Sequence, residues 1–206
     1  MKNQKVADYY NKFYSDDEKA FSGEPLPLVK ALSELMPSGT VLEIGAGAGR
    51  NALFLVSKGY EVKATDISAL AVEKLAQQAK DQKVVLETAV SDIAEEELAD
   101  DYDAIICTFT FHHLTEEDAE AVIRKMQTHT KPQGFNVITT FTKNGAFYNA
   151  HPDTANFYLN NKEQLEHLYE GWKLIKSFEK EGQARALDTE GKPQFNVFAG
   201  LLAQKM

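Results

Sequence analysis

Two periods of apolar residues alternate along this chain, and their switching predicts a repeated strand–helix unit. Val41, Leu42 and Ile44 form a short apolar run of the kind a strand covered on both faces requires, and Gly45, Gly47 and Gly49 follow it. Ala52, Leu53, Leu55 and Val56 then read as a short amphipathic helix that stops at Gly59. The unit repeats as a strand over 61–65 ending at Asp66 and a helix over 70–80 with Ser68 as its N-cap. A strand over 84–88 follows, then a strand over 102–108, a helix over 116–128 and a strand over 135–140 entered through Lys131-Pro132-Gln133-Gly134. Alternation at this interval implies right-handed crossovers and a mostly parallel sheet with helices on both faces, an α/β Rossmann-like architecture.

The pattern changes at both ends. After residue 141 comes a polar and aromatic excursion over 143–157, a short helix over 162–169, and strands over 172–179 and 195–203 joined by a glycine-bearing loop; strands with no helix between them are expected to pair antiparallel. Before the first strand, Leu28, Val29, Leu32 and Leu35 predict a helix leading to Pro37-Ser38-Gly39, and Tyr9, Tyr10, Phe13 and Tyr14 form an aromatic cluster. That cluster is either a lid over a ligand or a cover for an exposed part of the core.

A chain of 206 residues with 43% hydrophobic content suits one domain, read here as an N-terminal lid and helix over 1–35 and a ligand-binding core over 38–206. No window approaches the ~18 apolar residues of a membrane span, and Met1-Lys2-Asn3-Gln4-Lys5 leads into polar and aromatic residues rather than a signal-peptide segment. The expected location is cytoplasmic. The single cysteine, Cys107, sits beside Ala104, Ile105 and Ile106 and reads as a buried strand thiol. A net charge of -9 with acids spread along the chain, and arginine only at Arg50, Arg124 and Arg185, argues against nucleic acid as substrate. A small-molecule substrate is expected, and the oligomeric state stays open between monomer and homodimer.

The chemistry concentrates where strands end. In doubly wound sheets the ligand lies beyond the carboxyl ends of the strands, and three acids fall there: Glu43, then Asp66 placed 21 residues after Gly45, then Asp92. Each of the two aspartates is also a natural helix N-cap. The glycines alternate as G-x-G-x-G with Arg50 where a dehydrogenase would carry its third glycine, so a nicotinamide-dependent oxidoreductase fits poorly. After the fourth strand, Thr108-Phe109-Thr110-Phe111-His112-His113-Leu114 offers histidines for the cleft or for packing; adjacent histidines are expected to diverge, so no metal site is expected.

An acid followed by G-x-G-x-G resembles the cofactor motif of class I S-adenosylmethionine-dependent methyltransferases. The resemblance implies their seven-stranded sheet with an antiparallel C-terminal pair, S-adenosylmethionine as cofactor, and cofactor contacts at Glu43, Gly45, Ala46, Gly47, Gly49, Arg50, Asn51, Asp66, Ile67, Asp92, Ile93 and Thr108. Asp66 would accept the ribose hydroxyls, Asp92 the adenine amino group with Ile67 and Ile93 on the ring faces, and Glu43 would orient the glycine loop or the methionine ammonium.

Gly49-Arg50-Asn51, Gly59-Tyr60-Glu61-Val62, Thr130-Lys131-Pro132 with Gly134-Phe135-Asn136, and Tyr169-Glu170-Gly171-Trp172 are similar to the tellurite-resistance methyltransferase family. This implies methyl transfer to a small soluble acceptor, with tellurite or selenite as examples and Arg185, His112, His113 or His151 at the acceptor. The family's His-Arg pair before the last strand is replaced here by Arg185 and Ala186 within Gly182-Gln183-Ala184-Arg185-Ala186-Leu187-Asp188. A methyltransferase of other specificity, or a protein that binds S-adenosylmethionine without catalysis, stays open on the sequence.

Overall fold

The computed structural model describes residues 3–16, 23–150, 156–187 and 190–206, the side chains of 185–187 excepted. In chain order the elements are α1 Gln4–Asp16, α2 Pro27–Leu35, β1 Thr40–Ile44, α3 Arg50–Ser57, β2 Glu61–Asp66, α4 Ala69–Asp81, β3 Glu87–Val90, β4 Tyr102–Thr108, α5 Glu116–Thr128, β5 Thr130–Gly145, α6 Ala146–Ala150, α7 Lys162–Leu168, β6 Lys173–Leu187 and β7 Pro193–Gln204. A 3₁₀ turn at Phe111–His113 joins β4 to α5.

The strands form one seven-stranded sheet in the order β3-β2-β1-β4-β5-β7-β6. Pairings from β3 across to β5 are parallel, while β7 runs antiparallel between β5 and β6. Strand order reverses between β1 and β4, which opens the ligand crevice of a doubly wound sheet beyond their carboxyl ends.

The apolar runs fill both faces because successive side chains in a strand point to opposite sides. Leu42, Ile44, Ile105 and Cys107 pack with Ala119, Val122, Ile123 and Met126 of α5 on one face. Val41, Val62, Ala104 and Ile106 pack with α2 and α3 through Leu28, Val29, Leu32, Ala52 and Leu55 on the other. Burying side chains of this size contributes about 1.5–3 kcal/mol each.

The predicted helices over 70–80 and 116–128 are present. Ser68 caps α4 by accepting from the Ala71 amide at 3.1 Å, and Thr115 caps α5 by accepting from the Asp118 amide at 3.2 Å. Three expectations are corrected. The third strand starts at Glu87 rather than at residue 84, because the Val84 amide still donates to Ala79 at the exit of α4 and Val85 is 92% exposed. The fifth strand runs far beyond 135–140, because its second half pairs with β7 as far as Gly145 opposite Asn196. The expected glycine-bearing loop is largely strand, because β6 continues to Leu187 with Gly182 opposite Asn196 and Gln183 opposite Phe195. In both strands the pairing partner overrides weak local β-propensity.

Candidate active site

The turn after β1 is shaped by close approach. Gly47 has φ of 55°, its amide donates to Asp66 Oδ2 at 2.8 Å, and a Cβ there would run into the Tyr14 hydroxyl of α1. Gly49 stands before α3 with φ of 81°, and a Cβ there would strike Leu75 of α4. Gly47 lets α1 approach the backbone; Gly49 lets two helices pack.

Glu43 is 1% exposed. Its Oε1 accepts from Asn51 Nδ2 at 2.8 Å, and its Oε2 has no hydrogen-bond partner. Burial pushes its carboxyl from 4.5 up to about 7, against the opposing pull of the Asn51 hydrogen bond and the Arg50 charge. Burial likewise raises the Asp66 carboxyl, opposed by the amides of Ser68, Gly47 and Ile67. Burial lowers Arg50, while Glu43 works to raise it. Asn51 has a second task, since its Oδ1 accepts from the Leu26 amide at 2.9 Å and so joins Glu43 to the start of α2.

Asp92 is buried behind α1. It accepts from the Asn3 amide at 3.0 Å, from Asn3 Nδ2 at 3.1 Å and from the Ala94 amide at 3.2 Å. The remaining latches of α1 are Asn11, which accepts from Ser68 Oγ at 2.8 Å and from the Leu70 amide at 3.2 Å, Tyr14, whose carbonyl accepts from Lys74 Nζ at 2.5 Å, and Tyr10, whose hydroxyl lies 2.6 Å from His113 Nε2. Burial raises the Tyr10 phenol well above its ordinary value of 10.0, so the hydroxyl stays protonated beside His113.

Together these elements enclose a cavity of about 780 Å³. Glu43, Gly45, Ala46, Gly47, Arg50, Asn51, Asp66, Ile67, Asp92, Ile93, Thr108, His112 and His113 border it, so nearly all the residues expected at a cofactor meet in one place. Gly49 does not border it, because its glycine requirement is set by Leu75. The Arg185 side chain and His151 lie outside the described residues, although Ala184 on β6 borders the cavity. The two histidine rings do not diverge as expected: the 3₁₀ turn folds them together, with ring centroids 3.9 Å apart. Among the described residues no group of three or more His, Cys, Asp and Glu could hold a metal ion.

Sequence reasoning missed Asn3 and the ring cluster that Phe109, Phe141, Phe147 and Phe198 form at the far side from β2, while Tyr10, one of the aromatic residues read as either a lid or a core cover, closes the near side with Asn3. Phe109 holds φ of 55° immediately after β4, a strained setting for a bulky residue that costs about 1–3 kcal/mol. The Tyr9-Tyr10-x-x-Phe13-Tyr14 spacing was the available signal for α1; the phenylalanines come from four separated segments and carried none.

Comparison with solved structures places this architecture. The crystal structure of TehB from Haemophilus influenzae matches with a TM-score of 0.79 at 24% identity, over 96% of this chain and 67% of that one. Magnesium protoporphyrin IX methyltransferase from Synechocystis PCC 6803, with bound S-adenosylhomocysteine, matches with a TM-score of 0.71 at 16% identity over the whole of both chains. Fold and glycine cradle together define the class as that of S-adenosylmethionine-dependent methyltransferases of the class I fold.

A family model described as "Tellurite resistance protein TehB" matches residues 3–202, and the chain belongs to that family. It is 32% identical over 200 residues to "Hemagglutinin 1" of Eikenella corrodens, covering 97% of this chain and 63% of that protein. It is 28% identical over 201 residues to "Probable S-adenosyl-L-methionine-dependent methyltransferase TehB" of Haemophilus influenzae strain 10810, covering 98% of this chain and 67% of that one. The chain thus spans about two thirds of the length of these relatives.

Proposed function

We propose that this chain binds S-adenosylmethionine in the β1–β2–β3 half of the cavity and directs methyl transfer to a small soluble acceptor bearing a soft chalcogen nucleophile. The observation that carries the donor half is Glu43 Oε2, a buried carboxylate oxygen with no protein partner, bordering a cavity that also exposes the glycine turn. A buried acid of this kind is costly until a cation meets it, and the methionine ammonium is such a cation. Arg50 faces the methionine carboxylate. Asp66 has lone pairs left for the ribose diol after the Gly47 and Ser68 amides are served. Asp92 receives the adenine amino group, with Ile67 and Ile93 against the ring, and Gly45, Ala46, Asn51 and Thr108 complete the cradle.

When bound, this cofactor supplies a methyl carbon on a sulfonium, a group already activated for displacement. The chain's own work is therefore to align the acceptor, exclude water and manage charge. Helix α1 acts as the lid, since its latches on Asp92, His113 and Ser68 span the cavity mouth. For an acceptor that carries a proton, His112 or His113 takes it. Tellurite, which needs no base, is the acceptor suggested by the family description, and selenite is its lighter analogue, with Arg185 as the anchor for either.

Titration calorimetry with S-adenosylmethionine tests the donor half, and no binding by the intact protein overturns it. Labelled methyl donor offered with candidate acceptors tests the transfer; binding without turnover of any acceptor leaves a binding protein and overturns catalysis.

A further inference from the structure

We propose that the acceptor half of the cavity is built for an uncharged thiol carrying an apolar ring, in preference to an inorganic oxyanion. This rests on the methyl-transfer reading above and narrows its acceptor.

Four phenyl rings line this side, beside the neutral amides of Gln183, Gln194 and Asn196. Phe141 and Phe147 stack with centroids 5.1 Å apart and planes 14° apart, and Phe109 lies 5.1 Å from Phe141 and 5.5 Å from Phe198. The left-handed backbone at Phe109 is conformational energy spent to carry that ring at the end of β4, where a glycine would sit without strain. Among the described side chains bordering the cavity, Glu43, Arg50, Asp66 and Asp92 are the acidic and basic ones besides the histidine pair, and all four lie on the donor side, at the ends of β1, β2 and β3 or the start of α3. An oxyanion entering the phenyl cluster gives up its hydration with no described counter-charge, whereas an aromatic body stacks on rings already in place.

The proton acceptor adjoins the same rings. His112 is buried, with its ring edge-on to Phe141 at 4.9 Å and to Phe147 at 5.1 Å. A thiol ionises at about 8.5 in water, close enough to an imidazole for proton transfer between them to be nearly balanced. In the step, a lone pair of the acceptor sulfur forms the new bond to the methyl carbon. The carbon–sulfur bond of the sulfonium breaks with its electron pair remaining on the departing, now neutral, sulfur, and the S–H proton passes to His112.

The test gives the intact protein labelled S-adenosylmethionine with phenylmethanethiol, hydrogen sulfide or sodium selenite in separate assays. Phenylmethanethiol, an alkyl thiol that stays protonated at neutral pH, is expected to show kcat/KM on the order of 100-fold above selenite, and Phe141→Ala and Phe147→Ala to raise KM for phenylmethanethiol about tenfold, on the ~1 kcal/mol scale of an aromatic pair plus lost burial. Donor affinity by calorimetry is the control that each variant is folded; if both alanine variants lose it, Phe141→Leu and Phe147→Leu, which keep the apolar volume and remove the ring, take their place with the same expectation. Selenite turned over as well as phenylmethanethiol overturns the inference, as does an unmoved KM in the folded variants. Donor binding with none of the three acceptors methylated overturns it too, while leaving the donor site standing; absence of donor binding is the separate failure of the methyl-transfer reading itself.

Discussion

Asn51 Nδ2 donates to Glu43 Oε1 across 2.8 Å in a fully buried setting, and through its Oδ1 the same amide holds the Leu26 backbone. One side chain thus ties the buried acid beside the glycine turn to the entry of α2. Asn51→Ala leaves both Glu43 and the Leu26 amide short of a partner. The expected cost is about 1–3 kcal/mol in urea unfolding, with weaker S-adenosylmethionine binding in calorimetry.

Glu43 sets a pH dependence with opposite signs for folding and for binding. Its folded value of about 7 lies above the ordinary 4.5, so between these values the folded chain holds a proton that the unfolded chain has released. Stability therefore falls as pH rises from 4.5 toward 7, by at most about 1.4 kcal/mol per pH unit for this one proton, and levels off above. Affinity for a cationic donor rises over the same range, because the cation favours the ionised acid. Glu43→Gln is expected to flatten both profiles, measured by thermal melts and calorimetry across pH.

Asp66→Ala removes the carboxylate proposed for the ribose diol and the acceptor of the Gly47 amide. Loss of charge-assisted hydrogen bonds worth about 1.5–3 kcal/mol each predicts donor affinity lower by roughly 100-fold. Unchanged affinity would show that Asp66 serves only the turn.

If α1 is the lid, Tyr10→Phe frees one latch without disturbing the core. Faster cofactor release is expected in stopped-flow measurements. The amides of α1 should exchange hydrogen more slowly when S-adenosylhomocysteine is bound than when it is absent, and equal exchange in the two states would make α1 a fixed cover.

Cys107 is fully buried, and burial pushes its thiol up to about 12. A thiol-specific reagent at neutral pH is expected to label it only as fast as the chain opens, with full labelling in denaturant. Rapid labelling of the folded protein would contradict its place in the core.

The order of elements was legible because it depends on local periodicity. Helix α5 and strand β4 fall where the apolar spacing put them, and the strand-end acids converge because a parallel sheet brings all its carboxyl ends to one edge. The signature residues were legible as a signature but not in their jobs. Tyr169 is buried with its hydroxyl accepting from Asn136 Nδ2 at 2.9 Å, and Asn136 in turn accepts from Thr130 Oγ1 at 2.7 Å, so two separated motifs prove to be one polar link between the exit of α7 and β5.

By itself the sequence determined the alternating sheet, the glycine turn and the acids beside it, since these rest on residue type and short-range spacing. Only the tertiary structure decided that Asn51 serves Glu43, that Tyr10 meets His113 from 103 residues away, and that four phenylalanines gather at one end of the cavity. Such contacts depend on which distant segments the sheet order brings together, and β7 inserted between β5 and β6 is the pairing that carries Phe198 to Phe109 and Phe141.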